Sequence, residues 1–252
     1  MTFVTAVALL VCLVLLQRYI RRGLSATAAL RTRQGPLNRR QFFRDKLVEQ
    51  WKTMIVAPFL ALTLSGLLHS AFNPGEAIVP AARLTATLTG ASPDDFDLSL
   101  LSSMAVTLTI AIVVLEALPI LFRWKRRLVL GNFTALLPQS PAELPYALLL
   151  AIGAGLGEEM LFRGEIPHAL AALGLPLTAG LLVSCVIFAA CHVYQGWVGV
   201  LAVGFAGLLL TAIYAISGNL WLAIAVHVTI DVIGLVIRPA LGMGLKRLLR
   251  RS

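Results

Sequence analysis

Residues 166–230 read IPHALAALGLPLTAGLLVSCVIFAACHVYQGWVGVLAVGFAGLLLTAIYAISGNLWLAIAVHVTI and contain no Asp, Glu, Lys or Arg. This run of 65 residues is long enough for nearly three membrane crossings, since one spanning helix needs about 20 predominantly apolar residues. Of all 252 residues, 58% are hydrophobic and 13% are charged, whereas soluble domains carry about 25% charged residues. The composition therefore predicts that lipid surrounds most of the chain.

Seven apolar stretches qualify, or nearly qualify, as spanning helices. They lie at residues 2–16, 54–71, 98–122, 145–162, 175–194, 198–217 and 220–237. The first is short enough for a signal peptide, but its cations Arg18, Arg21 and Arg22 follow the apolar run instead of preceding it. We therefore predict an all-α, polytopic membrane helix bundle with about seven transmembrane helices.

The distribution of cations predicts how these helices are oriented. Loops 17–53, 123–144 and 238–252 hold 10, 4 and 5 Lys and Arg residues, whereas loop 72–97 holds only Arg83. By the positive-inside rule, we expect a multi-pass protein of the cell membrane with its N-terminus outside and its C-terminus inside. The net charge of +9 then marks the inner face, and predicts membrane lipid rather than nucleic acid as a partner.

We divide the chain into four parts by these features. They are a first transmembrane helix with a basic interfacial segment (1–53), two transmembrane helices with loops (54–144), a catalytic transmembrane core (145–238) and a basic cytoplasmic tail (239–252). Segment 37–52, LNRRQFFRDKLVEQWK, has apolar residues at helical spacing. We expect it to lie as an amphipathic helix on anionic lipid, with acidic partners as the alternative.

Ionisable side chains within the apolar stretches mark a candidate site, because they are costly at membrane depth and normally face the bundle interior. Glu159 and Arg163 are four residues apart, so they share a helix face and can form an ion pair. Glu158 then points about 100° away and is free to face something else. His227 and Asp231 are also four apart, so the carboxylate can orient the imidazole or bind the same ligand. His192 comes from a third helix.

A carboxylate with an unpaired face and two imidazoles, supported by Asp231, is suited to activating water. The carboxylate or a metal ion takes the proton, while the imidazoles hold water or stabilise a developing oxyanion. Hydrolysis of a carbonyl group is the reaction class that this set favours. The alternative is a buried polar network that fixes helix register or relays protons.

Three motifs in this region resemble those of a known family. They are E-E-x-x-x-R at residues 158–163, F-x-x-x-H at residues 188–192 and H-x-x-x-D at residues 227–231. In this order and on successive apolar helices, they resemble the CAAX-protease and bacteriocin-processing (CPBP, or Abi) family of intramembrane proteases. The resemblance covers about residues 142–237 and leaves the first 140 residues unmatched.

The resemblance implies an intramembrane endopeptidase that cleaves a CAAX-type or bacteriocin-type substrate, that is, a prenylated protein or a peptide. It implies that Glu158 is the general base beside His192, that His227 and Asp231 hold the oxyanion or the water, and that Glu159 with Arg163 braces the site. Many family members have Asn in place of Asp231. The alternative function is a non-enzymatic membrane protein, either an immunity factor or a proton-coupled carrier.

Both a zinc-dependent and a metal-free glutamate mechanism are proposed for the resembled family, and the residues leave both open. If a metal is used, Glu158, His192 and His227 are the candidate zinc ligands. If the glutamate mechanism holds, no cofactor is required.

Other ionisable residues have less specific interpretations. Glu116 lies near the predicted inner face, where snorkelling or pairing explains it. Glu165 and His168 are three apart and could bind a cation, but Gly164 and Pro167 predict that the helix ends there.

Helix lengths place His192 nearer the inner surface than Glu158 and His227, so the three can meet only around a depression in the bundle. We therefore predict a polar, inward-opening cavity, lined by the uncharged turn YQGW at residues 194–197.

Overall fold

The computed structural model describes residues 2–32, 36–91, 110 and 137–249. All secondary structure in these ranges is helical, which confirms the predicted all-α class. Five helices are long and apolar enough to cross a membrane: Thr2–Arg22, Arg39–Leu64, Pro141–Ala172, Val193–Ser217 and Leu220–Gly244. The apolar helix Leu177–Ala190 is shorter. The predicted span at residues 98–122 and Glu116 lie outside the described residues, so the count of seven stays a prediction.

The first half of the described chain contains five α-helices. They are α1 (Thr2–Thr32), α2 (Pro36–Gln50), α3 (Ala57–Leu64), α4 (Leu68–Phe72) and α5 (Val79–Thr89). A π-helical segment, Trp51–Val56, joins α2 to α3 without a break, and a 3₁₀ turn, Gly75–Ile78, precedes α5.

The second half contains six α-helices. They are α6 (Leu144–Glu159), α7 (Ile166–Ala172), α8 (Leu177–Ala190), α9 (Gly196–Ser217), α10 (Leu220–Val232) and α11 (Arg238–Leu249). The π-helical segment Met160–Glu165 joins α6 to α7, and Ile233–Ile237 joins α10 to α11. Gly218, with φ of 60°, ends α9 in the left-handed conformation that glycine adopts without strain.

The helix that carries the E-E-x-x-x-R motif is longer than predicted. The expectation that it ends near Gly164 and Pro167 is wrong, since α6 continues through Met160–Glu165 into α7. The α-helical hydrogen-bond ladder is already interrupted in a π-helical segment. Pro167, which has no backbone N–H to donate, lies directly after this segment, in the first turn of α7.

The basic segment 37–52 differs from its expected place on the lipid surface. It is helical, but it continues directly into α3 as one membrane-capable helix. Phe42 and Phe43 are buried against Tyr146 and Leu150 of α6. At the start of the same helix, Arg39 donates to Glu143 at 3.2 Å, and both side chains are almost fully buried. The segment is therefore packed into the bundle, and an ion pair joins it to the second half of the chain.

Helix α6 lies at the centre of the described bundle, in contact with α2 on one side and α10 on another. Its glycines allow this close packing. A Cβ on Gly157 would lie 2.6 Å from the carbonyl oxygen of Met54, and one on Gly155 would lie 2.8 Å from the backbone nitrogen of Val228. Backbone thus contacts backbone along α6, as in small-residue interfaces of membrane helices. These small residues bring neighbouring helices close to Glu158 and Glu159.

We expect Gly157→Ala to lower the free energy of unfolding by about 1–3 kcal/mol, as overpacking does in other cores. The added methyl group meets backbone atoms of Met54, which cannot move away as a flexible side chain would. Thermal unfolding in detergent measures the effect. Gly244→Ala is the matched control, because nothing lies within 4 Å of a Cβ there. Equal melting temperatures for Gly157→Ala and the wild type would contradict the close approach.

Candidate active site

A cavity of about 390 Å³ lies among α1, α2, α6, α8, α9 and α10. Four of the six predicted site residues line it: Glu158, His192, His227 and Asp231. The other two, Glu159 and Arg163, are buried, with 0% and 1% of each side chain exposed. The bundle therefore brings residues from α6, α8 and α10 to one cavity, as their positions in the sequence predicted. Tyr194 and Gln195, from the predicted turn, also line it.

The carboxylate of Glu159 connects the two halves of the site. Its Oε1 atom accepts hydrogen bonds from Arg163 Nη1 at 2.8 Å and from His227 Nδ1 at 2.7 Å. The expected ion pair between Glu159 and Arg163 is confirmed. Burying this carboxylate would be costly without such partners. Its hydrogen bond with His227 joins α6 to α10. The E-E-x-x-x-R motif and the H-x-x-x-D motif are therefore in direct contact.

Arg163 is held by three further contacts that the motif alone does not reveal. Its Nη2 donates to the carbonyl of Gly207 at 2.6 Å and its Nε donates to Thr211 Oγ1 at 3.3 Å. Its guanidinium carbon lies 4.9 Å from the ring centroid of Phe188. The fork of the guanidinium group thus ties the π-helical segment to α8 and α9. Gly207 permits this approach, since a Cβ there would lie 2.8 Å from the Phe188 ring.

The orientation of His227 follows from its bond to Glu159. A carboxylate can only accept, so Nδ1 of His227 carries a proton. The other ring nitrogen, Nε2, lies 3.9 Å from Glu158 Oε2 and 3.7 Å from Asp231 Oδ2. The sequence had offered Asp231 as the group that orients the imidazole, whereas in the structure the close partner is Glu159. Asp231 lies instead near Nε2, together with Glu158.

The Nδ1 atom of His192 also faces an oxygen acceptor, as that of His227 does. Its Nδ1 lies 2.8 Å from the carbonyl oxygen of Phe188, one helical turn earlier. A carbonyl oxygen cannot donate, so the Nδ1 atom carries the proton and the neutral ring has its lone pair on Nε2. The residue lies just after α8, where Val193–Gln195 forms a 3₁₀ turn. Gly196, with φ of 78°, completes the change of direction. His192 and Glu158 line the same cavity, which confirms that a cavity lies here. The expectation that it is polar is wrong for most of its wall, which apolar side chains form, and its inward opening stays a prediction.

Residues 140–233 match the family model described as type II CAAX prenyl endopeptidase Rce1-like. This match confirms the family resemblance predicted from the sequence. The matched segment contains all six predicted site residues and the helices α6 to α10 that carry them. No curated protein and no solved structure matches the chain. Together with the five membrane-capable helices, the match indicates an integral membrane protein.

The cavity also contains residues that the three motifs do not include. Tyr19 of α1 and Lys46 of α2 line it beside Glu158, although both come from the part of the chain outside the family match. One signal was present in the sequence: Lys46 follows Phe42 by four residues and Phe43 by three, which places all three on one helix face. The basic character of the segment had instead suggested that it lies on lipid.

The three candidate zinc ligands do not form a preorganised metal site. Within the described ranges, no group of three or more His, Cys, Asp or Glu side chains is arranged to hold a metal ion. Glu158 and His227 approach each other only to 3.9 Å, and Nε2 of His227 has Asp231 as a second acidic neighbour. The donor types would suit zinc, but their arrangement does not.

Glu165 and His168 also fail to form the cation site that their spacing allowed. His168 Nε2 lies 2.9 Å from the hydroxyl of Tyr214, which donates to the carbonyl of Ala71 at 2.7 Å. Glu165 is fully buried, and neither of its carboxylate oxygens has a hydrogen-bond partner within the described part of the chain. His168 thus belongs to a buried hydrogen-bond chain that joins α7, α9 and α4.

We expect Arg163→Met to lower the free energy of unfolding by about 3–5 kcal/mol, because it leaves the buried carboxylate of Glu159 without its cation. Thr211→Val is the matched control, since it removes one neutral acceptor of Arg163 and a weak hydrogen bond with Cys185 Sγ but no charge, and it should cost about 0.5–1.5 kcal/mol. Chemical unfolding in mixed micelles measures both variants. If Arg163→Met were no more destabilising than Thr211→Val, the central role of the Glu159 ion pair would be refuted.

Proposed function

We propose that this protein is an intramembrane endopeptidase that hydrolyses a peptide bond of a membrane-associated protein or peptide with water activated by Glu158. The observation that carries the proposal is the arrangement at the cavity. Glu158 has no short hydrogen bond to a protein group within the described residues and lies beside Nε2 of His227. His192 lines the same cavity. The site thus has a free base next to two imidazoles whose other nitrogens are already held.

In this mechanism, Glu158 and His192 position the attacking water. His192 has its Nδ1 proton directed at Phe188, so its Nε2 lone pair accepts a hydrogen bond from one O–H of the water. Glu158 accepts the other O–H and takes that proton as the water oxygen attacks the carbonyl carbon. Glu158 is therefore the base, whereas His192 orients the water. The hydrogen bond of His192 Nδ1 to Phe188 supports this assignment, because it leaves Nε2 as an acceptor.

His227 acts on the oxyanion that develops during attack. With protons on both ring nitrogens, His227 donates through Nδ1 to Glu159 and through Nε2 to the oxyanion. Asp231, 3.7 Å from the same Nε2, supports the imidazolium by its charge when ionised and donates to the oxyanion when protonated. Glu159 and Arg163 do not touch the substrate, and they position His227 through the hydrogen bond to Glu159.

In the last step, Glu158 returns the proton that it took from the water. Collapse of the tetrahedral intermediate breaks the C–N bond, and the protonated Glu158 gives its proton to the leaving amine. The products are a carboxylic acid and an amine, and Glu158 returns to its ionised form; the second proton of the water then passes from the acid to the amine, which leaves a carboxylate and an ammonium group. Water supplies all the atoms that are added, so the balance requires no oxidant, reductant or further co-reactant.

We place the enzyme in the cell membrane as a seven-helix protein with its N-terminus outside and its C-terminus inside, which is supported by the distribution of cations along the chain. The description of the matched family as a CAAX prenyl endopeptidase supports a prenylated protein or peptide as the substrate, with a bacteriocin-type peptide as the second class. Cleavage then takes place at the inner side of the membrane.

We expect Glu158→Gln to lower kcat at least about 100-fold, the scale of losing general-base catalysis, with little change in melting temperature. Glu159→Gln should lower both activity and stability, because the acceptor that Arg163 and His227 share loses its negative charge. The assay uses the purified protein in detergent with a fluorogenic peptide library, both unmodified and S-prenylated, and each variant is also melted.

Two results would contradict the proposal. Cleavage by Glu158→Gln or His192→Ala at the wild-type rate would show that these groups do not act in catalysis. If the wild type cleaves no peptide while both variants keep its biological activity in cells, the buried residues serve a non-enzymatic immunity or transport function.

Because no three donors within the described residues are arranged around a metal position, we expect activity to survive incubation with a strong chelator followed by gel filtration. Metal content measured on the same sample should be well below one equivalent. Loss of activity that added zinc restores would show instead that the donors rearrange to bind a metal, and would replace the water activation described above.

A further inference from the structure

Lys46 of α2 places an ammonium group at the wall of the cavity. Among the described residues that form its wall, Lys46 is the only Lys or Arg, while Glu158 and Asp231 are its acidic members. Lys46 also lines a smaller adjoining cavity of about 80 Å³, again together with Glu158 and His192. The cation and the proposed base therefore share both spaces.

No carboxylate in the described part of the chain lies within ion-pair distance of the Lys46 ammonium group, although the charges of Glu49 and Glu158 act on it from farther away. Its close contact there is the ring of Tyr19, whose centroid lies 3.7 Å from Nζ. A cation–π contact of this kind stabilises a lysine only partly in an apolar bundle. The three N–H donors of an ammonium group favour oxygen acceptors. Lys46 thus has donors available at a site where acids otherwise repel an anionic ligand.

We propose that Lys46 binds a carboxylate of the substrate and holds it a few residues from the scissile bond. Since the ammonium group and Glu158 line the same cavity, only a short stretch of substrate fits between them, at about 3.3–3.6 Å per extended residue. The carboxylate comes from the chain terminus of the substrate or from an acidic side chain. This inference rests on the proposed peptidase function and makes Lys46 a specificity-determining residue of that site.

The proposal gives Lys46 a role that a merely structural cation would not have. If Lys46 only supported the ionised form of Glu158, its removal would affect every substrate equally. If it binds a substrate carboxylate, its removal should affect only substrates that carry one. Discrimination between paired substrates is therefore the decisive measurement, and a double-mutant cycle isolates the pairwise interaction.

The probe is an N-terminally fluorescein-labelled apolar pentapeptide in three forms: a free C-terminal acid, a C-terminal amide, and an amide with Glu as its last residue. Its binding to the full-length protein in detergent is measured by fluorescence anisotropy with the wild type and with Glu158→Gln, which prevents turnover. Cleavage of the same three peptides by the wild type is followed in parallel. Lys46→Gln removes the charge, and Lys46→Arg keeps it.

Arg44→Gln is the matched control, because Arg44 lies on the same helix but is exposed to the exterior and does not line the cavity. We expect Lys46→Gln to weaken binding of the acid about 10- to 100-fold, the scale of a charge-assisted hydrogen bond. Binding of the amide should change less than about threefold by the same reasoning. Lys46→Arg and Arg44→Gln should leave the preference for the acid nearly intact.

Sensitivity of the Glu-containing amide to Lys46→Gln, with no effect on the free acid, would support the site and assign its ligand as a side-chain carboxylate. Equal effects on acid and amide, or no preference for either carboxylate form in the wild type, would overturn the proposal. If the carboxylate preference depends on Lys46 but no peptide is cleaved, the binding site stands and the peptidase function fails. Cleavage that depends on Glu158 but not on Lys46 would support the peptidase function and refute the carboxylate site.

Discussion

The site depends on one buried carboxylate with two partners. Glu159 is completely excluded from solvent, and an isolated charge in such a place would destabilise the bundle by several kcal/mol. Its Oε1 atom is satisfied only when Arg163 and His227 both reach it. That requirement brings α10 against α6 and sets the direction of the His227 ring. The position of Nε2 between Glu158 and Asp231 follows from it.

The site also requires close packing of the helices, because the polar side chains reach each other only if the backbones that carry them lie close together. Gly155 contacts the backbone of α10 and Gly157 contacts the backbone of the π-helical segment after α2. Gly207 instead faces the side chains of Phe188 and Arg163. The cavity lies beside these tight contacts and is bounded by larger side chains such as Phe42 and Phe43. The cavity is therefore adjacent to tightly packed helices. Helices pack closely at the glycines, and the cavity remains where larger side chains hold the helices apart.

The sequence predicted the fold class, and it predicted which ionisable residues lie close together in the bundle. It predicted less well which of them form hydrogen bonds with each other. Runs of apolar residues identified most of the described spans, and the cost of burying charge identified Glu158, Glu159, Arg163, His192, His227 and Asp231. Spacing along one helix could predict the pair of Glu159 with Arg163, because both lie on the same helix. It could not predict that His227 pairs with Glu159 rather than Asp231, since that choice depends on how two helices pack. Lys46 was missed for the same reason: local composition cannot distinguish a basic face on lipid from one that borders a cavity.

Within the described ranges, three π-helical segments continue helices that border the cavity: Trp51–Val56, Met160–Glu165 and Ile233–Ile237. Each accommodates extra chain in a helix that otherwise runs on without a break. The length of Met160–Glu165 thus sets the angular register between the motif on α6 and everything that follows on α7. If the same residues formed regular α-helix, without the extra residue that a π-helical turn holds, α7 would be rotated by about 100° relative to α6. His168 would then turn away from Tyr214, although every residue named in the motif remained. In this chain, the type of helical turn between α6 and α7 determines which side chains meet, just as the identity of those side chains does.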